Sequence, residues 1–256
     1  METGLQSVHH PSLPARLRER YRTRSHLTRR IRWVGFTLSS LNIVLLAFLV
    51  FDTPLGIAAD ELPHRLIGFA GNVTDLGTLA VILTASVTVL IAAMVIGRKM
   101  RNRRRRYRMA VLGQIAVYLG LSVVFASSFT HVLKFAIGRA RPLLYDSEGI
   151  LGFHPFANDF LFESFPSGHS THIGGVFAAL ALLFPRYRLM FFALGIWLGA
   201  TRIILGVHYP SDVAAGLAVG AWFAFATAIL FARFGILFIL PENGWPLPRF
   251  AGLHLK

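Results

Sequence analysis

Nineteen consecutive residues from Trp33 to Phe51 carry no charged side chain, and neither do the twenty from Thr78 to Gly97. Each run is close to the roughly 20 residues that an α-helix needs to cross the hydrocarbon core of a bilayer. Backbone polar groups find no water in lipid, so an α-helix, which satisfies them within the segment, is the fold for a run of this kind. Four further apolar runs follow, at Met109 to about Ile137, about Gly168 to Phe184, Leu189 to Val207, and about Val213 to Leu230. The third of the six is long enough to tilt or to project beyond the hydrocarbon. The pattern predicts an all-α fold, a bundle of six transmembrane helices. Composition agrees: 54% hydrophobic residues, 15% charged residues and a mean hydropathy of +0.57 are too apolar for an ordinary soluble domain.

The net charge of +14 raises the question of a nucleic-acid partner. Its distribution answers it. Eight arginines lie between Arg16 and Arg32 and eight more Lys and Arg between Arg98 and Arg108, together sixteen of twenty-six. Both blocks abut apolar runs, the arrangement that holds a connection on the cytoplasmic side. They predict contact with anionic lipid headgroups and no nucleic acid. With both blocks inside, six spans put both termini in the cytoplasm and nine of the twelve acidic residues outside. The segment from Asp52 to Gly77, with Asp52, Asp60, Glu61 and Asp75 against Arg65, is then an external loop resting on the membrane surface.

Three regions result: a basic cytoplasmic arm (1–32) with an interfacial helix near Leu13 to Tyr21, a six-span domain (33–240), and a short, irregular, Pro-rich tail (241–256). The first apolar run follows the long arm and precedes only a weak cleavage possibility at Ala58-Ala59, which marks it as a retained anchor. Cysteine is absent, so disulfides, a thiol nucleophile and thiolate metal sites are excluded. Gly174, Gly175, Ala178, Gly195, Gly199, Gly216 and Gly220 recur at spacings that permit close helix approach.

Polar chemistry concentrates in three stretches. The first, Thr201 to Asp212, ends an apolar run and carries Arg202, His208 and Asp212. Ionisable groups at such a position are costly and therefore functional candidates. His208 and Asp212 are four residues apart, so the carboxylate can hold one imidazole nitrogen and leave the other free to attack. Arg202 offers a planar fork suited to phosphate. A capped helix end with a snorkelling arginine accounts for this stretch alone equally well. The second stretch runs from Lys134 to Arg141-Pro142, its two cations seven residues apart on one face at the outer end of the third run. Snorkelling is the plain alternative, but positive charge is scarce on the outer side.

The third stretch, Phe165-Pro166-Ser167-Gly168-His169-Ser170, opens the fourth run. Free N–H groups and the macrodipole at a helix N-terminus favour an anion. Gly168 lets a phosphate approach the backbone, Ser167 adds a hydroxyl, and His169 is placed to give a proton to a leaving group. Alone, the stretch also reads as a good helix start with an incidental histidine. In the six-span topology all three stretches reach the same outer surface. Lys134, Arg141, Arg202, a helix N-terminus, His169 and His208 together suit phosphoryl transfer.

In this order, K-x-x-x-x-x-x-R-P, then P-S-G-H, then [ST]-R-x-x-x-x-x-H-x-x-x-D, the motifs resemble the type 2 phosphatidic acid phosphatase superfamily. The resemblance covers roughly Lys134 to Asp212, and the six-span layout extends it over most of the chain. Thr201 stands where that family usually has serine, and it keeps the hydroxyl. The resemblance implies that His208 is the nucleophile that becomes a phosphohistidine, oriented by Asp212. It makes His169 the acid for the leaving oxygen and then the base for water. Lys134, Ser167, Gly168, Arg141 and Arg202 hold the phosphate, with no metal or other cofactor.

His131 and His172 lie beside these motifs. A His169/His172 metal pair is conceivable but lacks a third ligand in the motif, so both spares read as supporting or packing residues. Arg139, His154, Asp159 and Glu163 lie in or near the outer loop, where they bear on headgroup selectivity. The resulting expectation is a bacterial inner-membrane lipid phosphatase, a phosphoric monoester hydrolase acting on a lipid phosphomonoester or pyrophosphate at the periplasmic surface. A lipid-to-lipid phosphotransferase shares the same chemistry, and a non-catalytic lipid-binding or transport protein is the rival from another class. Phosphatidate, phosphatidylglycerophosphate, undecaprenyl pyrophosphate and lipid A phosphates all remain open as substrates, and so does the oligomeric state.

Overall fold

Pro14 opens the first helix, α1 (Leu13–Thr23), as proline can where the N–H has no helical partner anyway. The computed structural model describes residues 12–24, 33–57, 68, 70, 71, 74–241 and 245–252. Asp60, Glu61, Arg65 and Ala58-Ala59 lie outside the described residues, as do parts of the arm and of the tail. Helix α1 falls where the interfacial helix was expected. It docks on the far end of the chain: Arg233 donates to the Tyr21 hydroxyl at 2.7 Å, and Tyr21 lies 5.4 Å from Phe234.

Helices stand where the six spans were expected: α2 (Trp33–Val50), α4 (Leu79–Lys99), α5 (Arg103–Ile137), α7 (Gly168–Leu183), α8 (Arg188–Ile204) and α9 (Pro210–Phe234). Short helices α3 (Asp52–Ile57) and α6 (Tyr145–Glu148) lie between them. Among the described residues, five helical segments are long and apolar enough to cross a membrane. The exception is α7, whose 16 residues give a length of about 24 Å. Its polar first turn, with Ser170, Thr171 and His172, is buried against neighbouring helices rather than in lipid.

Two boundaries differ from expectation for clear reasons. The basic block at Arg103 to Arg108 is not a loop but the first turns of α5. Asn102 caps it, accepting from the backbone N–H groups of Arg104 and Arg105 at 2.8 and 3.3 Å. The resulting helix of 35 residues is about 52 Å long, well above the roughly 30 Å of a bilayer's hydrocarbon core. The fifth span stops at Ile204 rather than Val207, because Gly206 takes a left-handed φ of 66° and turns the chain. Residues 205–209 thereby become a connecting turn. Part of the tail is also ordered: Leu247–Pro248 pairs antiparallel with Phe238–Ile239, and Phe238 packs 4.9 Å from the Tyr118 ring in the core.

Helix α9 is the hub, packed on α7, α5, α2 and α8. Its contact with α7 runs through glycine. A Cβ on Gly216 would lie 2.5 Å from the Ser167 carbonyl oxygen, so backbone meets backbone only because there is none. The C-terminal ends of α2, α5 and α8 and the N-terminal ends of α7 and α9 gather at one end of the bundle. The basic turn between α4 and α5, Arg186 and Arg188, and helix α1 gather at the other. The 138–167 connection folds over the first end, anchored by Gly138 at φ 60° and by an isolated bridge between Arg139 and Phe153.

Candidate active site

His208 sits in the turn between α8 and α9 and is buried. Its Nδ1 lies 3.6 Å from Asp212 Oδ2 and 3.5 Å from Ser164 Oγ. The Asp212 contact is an ion-pair distance, longer than a hydrogen bond, but it aims Nδ1 at the carboxylate and leaves Nε2 free. Burial pushes the imidazole down, Asp212 pulls it back, and Arg141 and Lys134 push it down again. The balance is about 4, so the ring is neutral at pH 7. Asp212 is fixed by its place in the first turn of α9. Its Oδ2 accepts from the Tyr209 backbone N–H at 2.9 Å, the back-bonded half of a capping box, and from the Ser164 hydroxyl at 2.6 Å.

The cations close around this pair, but Arg141 does so from the connection and not from a helix face shared with Lys134, because α5 ends at Ile137 and Gly138 turns the chain at φ 60°. Lys134, at the end of α5, donates to the Glu163 carbonyl at 2.5 Å, and Arg141 donates to the same oxygen at 3.3 Å. Arg141 also donates to the carbonyls of Phe160 and of Val207, the residue before His208, and its guanidinium lies 3.8 Å over the Phe160 ring. Arg202, at the end of α8, donates to Thr74 Oγ1 at 3.2 Å. Its Nε is buried without a hydrogen-bond partner among the described residues, a donor free for an anion. Thr201 braces this corner, its hydroxyl bonded to the Leu198 carbonyl and 3.4 Å from Thr74.

The N-terminus of α7 supplies the floor. Ser167 is its cap, accepting from Ser170, and its own N–H donates to the Asp212 carbonyl at 3.0 Å. That bond ties the second motif to the third. A Cβ on Gly168 would lie 3.9 Å from Lys134 Cε, which places the first motif beside the second. His169 follows in the first turn, half-buried. The three predicted stretches are thus one site, containing Lys134, Arg141, Ser167, Gly168, His169, Arg202, His208 and Asp212.

The PAP2 superfamily model matches residues 115–236. Over 219 residues the chain is 44% identical to a lipid A 1-phosphatase of Rhizobium johnstonii, covering 86% of this chain and 89% of that protein. A lipid A 1-phosphatase of Rhizobium etli is 43% identical over the same length, covering 86% and 94%. The chain belongs to the PAP2 superfamily. A more distant relative, an undecaprenyl-diphosphatase of Sulfolobus acidocaldarius, is 28% identical over 113 residues, 44% of this chain and 53% of that protein.

Around the PAP2 motifs lie residues whose positions the sequence misrepresents. Arg139 lies in the connection after α5, as expected, but it is buried rather than turned to the surface. It is 1% exposed and joins Asp212 at 2.6 Å to Asp52 at 2.8 Å. Burial alone would push its guanidinium down, but the Asp212 and Asp52 carboxylates outweigh burial and hold it above its ordinary value. Asp52 is likewise not on a surface loop; it is fully buried. Ser164 and Thr74 hold Asp212 and Arg202 and had no motif to announce them. The signal for Asp52 was available: a carboxylate at the very end of an apolar span is expensive unless it has a partner. His172 faces Gly77 and Ser127, with one ring nitrogen 3.1 Å from the Gly77 carbonyl and the other 3.2 Å from the Ser127 hydroxyl. Both nitrogens are engaged in hydrogen bonds between helices and the Gly77 turn. His154 pairs with Glu148 at 3.0 Å on the exposed loop.

Proposed function

We propose that this chain is a bacterial inner-membrane lipid phosphatase that removes the 1-phosphate of lipid A through a phosphohistidine at His208. The observation that carries the reading is the neutral, buried His208 beside Asp212, facing a cradle of three cations and a helix N-terminus. The cradle supplies the charge that a phosphoryl group needs as it is transferred. With Nδ1 toward Asp212, the Nε2 lone pair attacks phosphorus and the bond from phosphorus to the lipid oxygen breaks. His169 gives a proton to that oxygen; a phosphate dianion beside it favours the protonated ring. His169 then takes a proton from water as the water attacks phosphorus, the P–N bond breaks, and inorganic phosphate leaves.

Two relatives above 40% identity, both lipid A 1-phosphatases, support the choice of substrate. The opposite placement of the site and of the basic turns supports a site facing the periplasm, since basic segments stay inside. The same blocks are suited to anionic headgroups of the inner leaflet. The test is phosphate release by purified protein from lipid A labelled at the 1- or 4′-position, with phosphatidate, phosphatidylglycerophosphate and undecaprenyl pyrophosphate alongside. Preferential loss of the 1-phosphate is expected. Preference for any other lipid would overturn the substrate assignment, and transfer to a second lipid without free phosphate would overturn hydrolysis.

A further inference from the structure

Asp212 holds more than His208. On Oδ1 it takes Arg139 at 2.6 Å, and on Oδ2 it takes Ser164, the Tyr209 N–H and, at 3.6 Å, His208. A guanidinium this close would by itself neutralise the carboxylate and leave little charge for the imidazole. The other edge of Arg139, however, is bound to Asp52 Oδ2 at 2.8 Å. Ser211 locks that arrangement: its N–H and hydroxyl donate to Asp52 at 2.9 and 2.5 Å, and its oxygen accepts from Arg139 at 2.7 Å. Asp52, Asp212 and Ser211 are 0% exposed and Arg139 is 1% exposed, so these direct contacts are shielded from bulk solvent. Two carboxylates around one guanidinium leave a net charge of minus one inside the protein, next to the ring that turns cationic as phosphate is transferred.

We infer that Asp52 is a positioning residue for the phosphatase reaction. Acting through Arg139, it preserves the negative charge of Asp212 and fixes its orientation toward His208. Asp52 stands at the end of the first span, upstream of the 115–236 stretch that matches the family model. The first span thus contributes to the chemistry as well as to anchoring. The carboxylate also sits at the N-terminus of α9, where the helix dipole favours it.

The inference rests on His208 as nucleophile, so the experiment carries His208→Ala beside the Asp52 variants. Purified wild type, Asp52→Asn, Asp52→Glu and Ser211→Ala are compared per mole of monodisperse protein. Product inhibition by inorganic phosphate, a ground-state ligand, reports the Lys134, Arg141 and Arg202 cradle separately. Asp52→Asn is expected to lower kcat roughly ten- to a hundred-fold, the range for losing an outer partner of an orienting group. KM and the phosphate inhibition constant should stay within about twofold, because the cradle is untouched. Asp52→Glu should recover part of the loss. Ser211→Ala leaves both carboxylates on Arg139 and should cost about three- to ten-fold in kcat. It decides the matter on the same criteria if Asp52→Asn cannot be isolated folded. Wild-type kcat in these variants, or a fall in kcat matched by an equal loss of phosphate binding, overturns the inference. If His208→Ala is active, the underlying reading has failed instead.

Discussion

Gly216→Ala adds one methyl group at the point where α9 crosses the start of α7. The new Cβ would lie 2.5 Å from the Ser167 carbonyl oxygen and 3.0 Å from Ser170 Cβ and Thr171 N, whereas ordinary contact begins at 3.4 Å. Two of these three atoms are backbone, which no rotamer change can move aside. The helices must part by the difference between 3.4 and 2.5 Å, about 0.9 Å. That separation falls between Ser167, Gly168 and His169 on one side and His208 and Asp212 on the other. A misplacement of about 1 Å costs on the order of 100-fold in rate, while overpacking costs about 1–3 kcal/mol in stability. Gly175→Ala is the control on the same helix pair, since its Cβ meets Val123 Cγ2 at 3.4 Å and Gly220 O at 3.8 Å, both ordinary contacts. Steady-state phosphate release from the purified lipid substrate should show kcat down about 100-fold for Gly216→Ala and near wild type for Gly175→Ala. Equal activity in both variants, or equal loss, would refute the argument that this contact sets the catalytic geometry.

His169→Ala should lower kcat by roughly 100- to 10,000-fold with the lipid substrate. The loss should be much smaller for an aryl phosphate whose leaving group needs no proton, and an equal loss for both would remove His169 from the acid role. His208, held down to about 4 from an ordinary 6.5, should stay neutral as pH falls through 6.5 and gain its proton only near 4. A ¹⁵N-imidazole titration, with the His208 signal assigned by its loss in His208→Asn, checks this, and an imidazolium already present at about pH 5.5 contradicts it. In this cysteine-free chain, a cysteine at Ser147 should react with an impermeant maleimide in intact spheroplasts, and one at Asn102 only after lysis. The reverse pattern would place the site in the cytoplasm.

Much of this molecule is legible in the chain because its constraints are local. Membrane length and the absence of charge define α2 and α4, and motif spacing places Lys134, Ser167 to His169, and Arg202 to Asp212 at or beside helix ends, whereas Arg141 lies past the end of α5 because Gly138 breaks the helix. What escaped is what depends on pairing across the fold. Asp52 and Arg139 are 87 residues apart and meaningful only together. Seen alone, one resembles a loop acid and the other a loop base. Ser164 and Thr74 are ordinary hydroxyls until the connection folds over the site. The true end of α8 turned on the left-handed Gly206, and apolar composition continues past it to Val207. The helical start of α5 was hidden for the opposite reason, because its arginines resemble a loop while Asn102 caps a helix.

The central claim is that His208 carries the phosphoryl group. Wild-type protein should be mixed with lipid labelled in the scissile phosphate, quenched within the first turnover and digested. The account predicts a phosphopeptide containing residue 208 whose label is stable to base and lost in acid, and it predicts no such peptide from His208→Ala or Asp212→Ala. Label recovered on His169, or full turnover with no trapped phosphohistidine and an active His208→Ala enzyme, would contradict it.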